Sequence, residues 1–265
     1  MNRDDVQQLK IWFADYCRTF YSDNPEDQRN IILKEEHTHN ICANIVRIAE
    51  EEGTSGAPLA LAEAIALFHD VGRFRQYRQY KTFKDSESIN HAALGAQVLR
   101  ESGVLTAFPQ PEQDIIIQAV RFHNAFAVPE KLSEEHRFFL QLIRDADKLD
   151  IWRVFIEFYG LPEEERASAV GLGFPDTPEC SPGVLAFLNK GEMINLSLLK
   201  TLNDFKLLQL SWVHDLNFTT SFKMVAERNI IDRLAAALPQ DDRIAGAVNV
   251  VREFVERRLQ RGAVS

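Results

Sequence analysis

Apolar residues recur at steps of three and four along most of the chain, which is the spacing of one face of an α-helix. In the segment HTHNICANIVRIAEEEG this face is formed by His37, Ile41, Ile45 and Ile48. Gly53 follows the last of these residues and is expected to end the helix. Alternating patterns typical of strands are almost absent, so the chain is predicted to be all-α.

The same periodicity predicts four more helices before residue 155. Gly72 and Gly103 are expected to end the first two of them, and Ser133 is expected to cap the start of the last. The apolar faces are formed by Leu61, Ile65, Phe68 and His69, then by His91, Leu94 and Val98, then by Ile116, Val120 and His123, and finally by Phe139, Ile143 and Asp147.

Other parts of the chain lack a clean helical period. Residues 73–90 (RFRQYRQYKTFKDSESIN) are polar, aromatic and basic, and we interpret them as a functional loop. Residues 160–183 are rich in proline and predict an irregular connection. Three further helical stretches are expected at roughly 184–213, 220–238 and 240–261.

Ionisable side chains lie on the apolar faces of all five helices predicted before residue 155. They are His37, His69, Asp70, His91, His123 and Asp147. A buried ionisable group is costly unless it is paired, hydrogen-bonded or bound to a metal. A single histidine of this kind is usually an ordinary core residue, but one shared metal site would satisfy all of these groups together.

The mixture of imidazole and carboxylate favours Mn, Fe, Co, Ni or Zn over Ca or Mg, which prefer all-oxygen sites. The donor set is larger than one ion with an open coordination position needs, so two ions bridged by Asp70 are expected. Paired ions suit the attack of a bridging hydroxide on phosphorus.

The order His37, His69-Asp70 and Asp147 resembles the HD superfamily of metal-dependent phosphohydrolases. The surrounding words HTHNI, ALFHDVGRF, HAALGAQVL and RDADKLD are also similar to those of the family, and the resemblance covers residues 37–150. It implies an all-α HD domain at 31–155, with an N-terminal helical extension at 1–30. A C-terminal helical extension at 156–265 would pack on the HD domain to form one compact unit.

The resemblance also implies roles for the metal ligands. The first ion would be bound by His37, His69, Asp70 and Asp147. By similarity to binuclear members, a second ion would be bound by His91 and His123. The chain lacks the GYP signature of members that cleave cyclic dinucleotides. Members that hydrolyse the guanosine alarmone typically carry an acidic run after the HD pair, where this chain has Val71-Gly72-Arg73.

Candidate substrate-binding residues stand beside the metal ligands in the sequence. Arg73 follows Asp70 closely, and a guanidinium can grip two phosphate oxygens, although a solvated surface segment is an equal alternative. Lys148 follows Asp147 and would face either phosphate or solvent. The residues predicted to be catalytic are therefore Asp70, Arg73 and Lys148. Two polar residues before His91 are expected to cap its helix, namely Asp85 and Ser88.

Composition limits the partners. A formal net charge of −9 and a pI near 5.3 argue against duplex nucleic acid, whose binding needs basic patches. No apolar run is long enough to cross a membrane, and three widely spaced cysteines argue against a disulfide framework. These features predict a cytoplasmic protein with a small phosphorylated ligand, and they leave a homodimer open. The remaining histidines are interpreted as bystanders: His39, His136 and His214.

The function predicted from these observations is a metal-dependent phosphohydrolase that cleaves a small phosphate ester, with a nucleotide as the favoured substrate. Its cofactor would be one or two divalent transition-metal ions. Two alternatives stay open. One is a di-iron oxygenase of the same superfamily, and the other is a non-catalytic ligand-binding or regulatory module.

Overall fold

A computed structural model of the chain describes residues 1–162, 166, 169–170 and 172–262. These residues contain helices and no β-strand, which confirms the predicted all-α fold. Short 3₁₀ turns occur at Asp85–Glu87, Leu196–Leu198 and Trp212–Asp215. The helices are, in chain order, α1 (Arg3–Arg18), α2 (Pro25–Glu51), α3 (Gly56–Phe68), α4 (Val71–Tyr80), α5 (His91–Ser102), α6 (Gln110–Phe122), α7 (Glu134–Gly160), α8 (Pro182–Lys190), α9 (Leu202–Ser211), α10 (Thr219–Glu227), α11 (Ile230–Ala236) and α12 (Asp242–Gly262).

The described residues divide into two units, and the division falls within α7. The first unit comprises Met1–Asp150 together with the described residues between 163 and 172. The second comprises Ile151–Pro162 and the described residues from Gly173 onward. In neither unit does a described helix combine the length and the hydrophobicity that crossing a bilayer requires.

The apolar faces of the predicted helices form the core of the first unit. α2 packs against α3, α4 packs against α5, and α6 packs against both α3 and α5. Ile41, Ile45 and Ile48 on α2 are fully buried, and burying an aliphatic side chain of this size stabilises the fold by about 1.5–3 kcal/mol. The buried residues of the other predicted faces include Leu61, Ile65, Phe68, Val98, Ile116, Val120, Phe139 and Ile143.

Local sequence determines where several of these helices begin and end. Gly53 and Gly103 lie just past α2 and α5 and have φ values of 86° and 66°. This left-handed conformation favours glycine and is a common way to end a helix. At the start of α7, the Oγ of Ser133 accepts a hydrogen bond from the backbone N–H of His136. The predicted ends of these helices are confirmed.

Residues 71–80 are helical, so the prediction of a loop from Arg73 was wrong for this part of the segment. Val71, Phe74 and Tyr77 recur at steps of three and are buried. The polar and basic residues between them hid this short period in the sequence. α4 ends at Lys81, which adopts a left-handed φ of 56°, and residues 81–90 connect α4 to α5.

Gly72 lies inside α4 and does not end α3, as was predicted. α3 ends at Phe68, and Gly72 is buried where the backbones of α4 and α5 come together. A Cβ atom added at Gly72 would lie only 2.5 Å from the backbone nitrogen of Gly95, and it would overlap the carbonyl oxygen of His91. Glycine is therefore required here by the close approach of two helix backbones.

In the second unit, two of the three predicted helical stretches are interrupted. The stretch predicted at 184–213 corresponds to α8 and α9, and Gly191 after α8 has a φ of 71°. The stretch predicted at 220–238 corresponds to α10 and α11, and Asn229 between them has a φ of 52°. A left-handed residue cannot continue a right-handed helix, so each stretch breaks there. The third stretch is continuous, as α12.

The second unit has its own core. α12 packs against α8 and α10, and α8 packs against α9. Phe205 and Leu208, from the stripe of large apolar residues on α9, are buried. In the predicted connection at 160–183, the described residues between 161 and 181 are not helical, which agrees with the prediction. The rest of that connection lies outside the described residues.

We expect Gly72→Ala to destabilise the first unit, because the new methyl group would force α4 and α5 apart. Overpacking of this kind costs about 1–3 kcal/mol. Gly246→Ala is the matched control, since Gly246 is exposed within α12 and has open space around its Cα. The control should be neutral or stabilising by up to about 1 kcal/mol. Urea unfolding followed by circular dichroism measures both, and equal stabilities for the two variants would contradict the packing argument.

Candidate metal centre

His69 and Asp70 are the only two residues between α3 and α4. His69 is completely buried, and Asp70 is 3% exposed. Because one helix ends at Phe68 and the next begins at Val71, these two adjacent side chains are held by two helix ends at once. They form the middle of a cluster of histidines and carboxylates inside the first unit.

The two carboxylate oxygens of Asp70 face different histidines. Oδ2 lies 3.8 Å from His37 Nε2 and 3.6 Å from His69 Nε2. Oδ1 lies 3.3 Å from His91 Nε2 and 3.7 Å from His123 Nε2. Asp70 therefore belongs to two groups of donor atoms, and it is the member that they share.

Asp147 joins the first of these groups. Its Oδ1 is 3.2 Å from His37 Nε2 and 3.9 Å from His69 Nε2. Two sets of three donors, with ligand atoms within 4.8 Å of one another, could each hold a metal ion: His37, His69 and Asp70, and Asp70, His91 and His123. The structure thus brings together all six of the residues that were predicted as metal ligands.

His69 and His123 are oriented by their own helices. Each directly follows the last residue of a helix, α3 and α6 respectively, and its Nδ1 donates to a carbonyl oxygen three residues earlier. The distances are 2.7 Å to Ala66 and 2.8 Å to Val120. A carbonyl can only accept, so Nδ1 carries the proton and Nε2 keeps its lone pair. The last carbonyls of a helix lack partners within it, which makes this bond favourable.

His37 and His91 are oriented by carboxylates instead. The Nδ1 of His37 donates to Asp150 Oδ2 at 2.7 Å, and the Nδ1 of His91 donates to Asp85 Oδ2 at 2.8 Å. When a carboxylate accepts a hydrogen bond from the nitrogen of a metal-binding histidine that does not face the metal, it fixes the tautomer of the ring. It also makes the other nitrogen a stronger electron-pair donor to the metal. Neither Asp85 nor Asp150 was predicted as part of the site.

This donor set fits a divalent metal. The Nε2 atoms of His91 and His123 are 3.1 Å apart, although the Nδ1 bonds leave a lone pair on each. His69 Nε2 and Asp70 Oδ1 are buried and have no hydrogen-bond partner among the described residues. Lone pairs that face each other without a proton between them repel, and a cation between them removes the repulsion.

Protonation states also favour metal binding. Burial lowers the pKa of His69 to about 4 and that of His91 to about 3, so both rings are neutral near pH 7. Burial alone would raise the pKa of Asp70, but nearby positive charge, mainly that of Lys34, holds this pKa well below its usual range. His69, His91 and Asp70 are therefore already in the forms that bind an ion. Burial and Lys34 disfavour the charged form of His37, but its hydrogen bonds to Asp147 and Asp150 outweigh them and raise its pKa, so this ring would give up a proton when it binds an ion.

Comparison with known proteins identifies this part of the chain. Residues 35–152 match the family model described as HD domain. Over this range the chain is similar to an HD domain. This confirms the predicted resemblance to the HD superfamily of metal-dependent phosphohydrolases, for a range that is somewhat less than half of the chain. Searches of curated proteins and of solved structures found no match.

Lys34 is a further residue of the HD-domain site that sequence reasoning missed. Its Nζ lies 2.7 Å from Asp70 Oδ2. The available signal was its position, three residues before His37 and thus one turn away on the same helix. Asp150 carries the same signal, because it follows Asp147 at a spacing of three on α7.

Arg73, predicted to be catalytic, lies beside the HD-domain donors. Its Nε is 3.5 Å from Asp70 Oδ1. Its Nη1 donates to Gln76 Oε1 at 2.8 Å, to the carbonyl oxygen of Phe83 at 2.6 Å and to Asp85 Oδ1 at 3.0 Å. These bonds fix the plane of the guanidinium next to the carboxylate of Asp70.

Lys148, the other predicted catalytic cation, is buried on α7. Its Nζ donates to the carbonyl oxygen of Arg144, one turn earlier on the same helix, at 3.3 Å. This bond runs along α7 and does not join Lys148 to the six donors. Its catalytic role stays a prediction.

The predicted capping role of Asp85 and Ser88 is wrong. Asn90 caps α5, since its side-chain oxygen accepts from the backbone N–H of Ala93 at 2.9 Å. Asp85 accepts from His91 instead, and Ser88 accepts from the side-chain amide of Gln76 at 2.9 Å. Asn90 directly precedes α5 and takes the capping position, whereas the 3₁₀ turn at Asp85–Glu87 directs Asp85 towards the ring of His91.

Among the described residues, neither group of possible metal donors includes a histidine that was interpreted as a bystander. His39 is exposed on α2, and His136 is partly exposed at the start of α7. His214 belongs to the second unit, where its ring packs 4.4 Å from that of Phe254.

We expect His37→Ala to weaken divalent-metal binding strongly, because it removes a proposed ligand. Loss of a residue that only hydrogen-bonds to a ligand lowers metal affinity by roughly 10- to 100-fold, and the loss here should be larger. His39→Ala is the control, because it removes an exposed imidazole from the same helix. Equilibrium dialysis against Mn²⁺ or Zn²⁺, followed by elemental analysis, measures both. Equal metal content in the two variants would show that His37 is not a ligand.

Asp85→Asn should weaken binding at the group formed by Asp70, His91 and His123, because the neutral amide no longer strengthens His91 as a donor. We expect a loss of about 10- to 100-fold in affinity. Glu87→Gln is the control, since Glu87 lies in the same turn but pairs with Lys84 at the surface. Metal titration by calorimetry would separate the two variants. If Asp85→Asn bound metal like the wild-type protein, a role for the carboxylate in tuning His91 would be excluded.

Proposed function

We propose that this HD domain is a metal-dependent phosphohydrolase that cleaves a small phosphate ester, with a nucleotide as the favoured substrate. The observation that carries the proposal is the orientation of the Asp70 carboxylate, which turns one oxygen towards each of two histidine pairs. A carboxylate in this position suits two ions held side by side. The proposed centre is therefore binuclear, with Mn, Fe, Co, Ni or Zn as its metal.

Bound divalent ions would lower the pKa of a coordinated water and withdraw charge from the phosphorus of the ester. Hydrogen bonds within the protein already orient the four histidine rings. His69 and His123 are fixed by helix carbonyls, and His37 and His91 are fixed by carboxylates. Their Nε2 atoms therefore need no change of tautomer to bind an ion, and burial of the donors excludes competing water.

Arg73 is the proposed anchor for the phosphate group of the substrate. Its Nη1 and Nε face the protein, and its Nη2 makes no hydrogen bond to any described residue. A guanidinium that is fixed on one side can offer the other side to a phosphate oxygen at little entropic cost. Lys148 stays a second candidate for this role.

The charge of the chain supports a small substrate. The net charge is −9, so the basic residues of α4 are a local exception on an acidic protein. An acidic surface disfavours extended polyanions such as duplex nucleic acid and anionic membranes, whereas a single phosphate group needs only a local cation. The three cysteines are free thiols, and the cytoplasm stays the proposed location.

Phosphate release by the purified protein tests this proposal. Nucleotides, cyclic nucleotides and sugar phosphates would be offered with Mn²⁺, and at least one should be hydrolysed. His69→Ala should lower that rate by about a hundredfold or more, because it removes a ligand of the ion that activates water. His136→Ala, which changes a partly exposed histidine of α7, is the control and should retain the rate.

The same assay separates the two alternative functions. A di-iron oxygenase would need O₂, so turnover that is unchanged under nitrogen excludes it. If no ester is hydrolysed and metal-loaded protein still binds nucleotides, the domain is a non-catalytic ligand-binding module and the phosphohydrolase proposal fails.

A further inference from the structure

Lys34 places a positive charge directly on the shared carboxylate. Its Nζ is 2.7 Å from Asp70 Oδ2, and its side chain is 14% exposed. This is the oxygen that faces His37 and His69, so the ammonium group stands at the donors of one of the two groups. A lysine in this position is not needed to hold a metal ion, because ammonium cannot be a ligand.

Two cations lie beside Asp70, and they are held differently. Arg73 is fixed by three hydrogen bonds from its Nη1, to Gln76, Phe83 and Asp85. For the ammonium of Lys34, Asp70 is the one hydrogen-bonding partner among the described residues. The flexible lysine side chain can therefore exchange its acceptor, whereas Arg73 would lose several bonds if it moved.

We propose that Lys34 is a phosphate-binding residue that leaves Asp70 when divalent metal binds. This inference rests on the proposed function. A divalent ion beside Asp70 Oδ2 repels the ammonium and competes for the same oxygen. The ring of Phe83, with its centroid 5.2 Å from Nζ, attracts the ammonium and favours its staying beside the site. The acceptor that suits a displaced ammonium is an anionic oxygen of phosphate bound at the metal centre.

The proposal predicts opposite effects on two ligands. Removing the charge of Lys34 should leave metal affinity unchanged or raise it, because the ion no longer displaces a cation. The same change should weaken phosphate binding, because one charged hydrogen bond is lost. A purely structural role for the ion pair between Lys34 and Asp70 would instead lower the affinity for metal, and with it the affinity for phosphate.

The experiment uses the full chain, stripped of metal and then titrated with Mn²⁺, and afterwards with inorganic phosphate. We expect Lys34→Met to weaken phosphate binding to the Mn²⁺-loaded protein by about tenfold or more, with no loss of Mn²⁺ affinity. Lys34→Gln should behave in the same way, and it keeps a polar group beside Asp70 in case Lys34→Met folds poorly. Lys34→Arg should retain most of the phosphate affinity. Lys10→Met, which breaks an ion pair with Glu63 on another part of the unit, is the control and should change neither affinity.

The outcomes separate this inference from the proposed function. If the wild-type protein hydrolyses no ester but loses phosphate binding on Lys34→Met, the inference stands and the phosphohydrolase proposal fails. Wild-type phosphate affinity in both Lys34→Met and Lys34→Gln would overturn the inference. A parallel loss of Mn²⁺ and phosphate affinity would also overturn it, because the lysine would then act only by supporting the fold of the site.

Discussion

The buried negative charge of Asp70 is the constraint on which the rest of the first unit depends. Its carboxylate is 3% exposed and lies between four imidazole rings, so water cannot stabilise it. Two cations compensate for part of the charge, Lys34 at Oδ2 and Arg73 at Oδ1. The buried lone pairs that remain, on Asp70 Oδ1 and on His69 Nε2, can both be satisfied by divalent ions. The architecture around Asp70 can therefore be understood as a means of holding these groups in place until an ion is bound.

Close backbone packing is what allows the helices to deliver donors to so small a region. α4 and α5 approach each other at Gly72 and Gly95, where a side chain on Gly72 would collide with the carbonyl oxygen of His91. This approach brings the first residue of α5, His91, to the residue just before α4, Asp70. The short connection between α3 and α4 adds His69 without a loop whose flexibility would have to be overcome. The contact between the backbones of α4 and α5 therefore determines both the packing of these helices and the positions of Asp70 and His91.

The sequence was sufficient to predict the all-α class, the core faces of the first unit and the six donors, because each of these depends on a period along a single helix. It was insufficient for α4, whose three large buried apolar residues were hidden among polar ones, and for the breaks at Gly191 and Asn229, which depend on single backbone conformations. Lys34, Asp85 and Asp150 were missed for another reason. Each acts on a residue of a different segment. The spacing of three from a predicted ligand places Lys34 and Asp150 near the site, but it does not show which side chain each will meet in three dimensions.

The hydrogen bonds from the Nδ1 atoms of the four histidines are of two kinds, and each donor group contains one of each kind. In the group with His37 and His69, one ring is fixed by a carboxylate and the other by the carbonyl at the end of its own helix, and the same holds for His91 and His123. The two carbonyl-bonded rings occur in the similar words Phe68-His69-Asp70 and Phe122-His123-Asn124, each at a helix end. Because a carboxylate strengthens an imidazole donor more than a carbonyl does, each group receives one stronger and one weaker ring. Neither group is then favoured by its histidines alone. Asp147 lies near the histidines of the group with His37 and His69, and it adds a carboxylate oxygen there. In the proposed binuclear centre, that extra carboxylate would strengthen the first group as a position for a divalent ion.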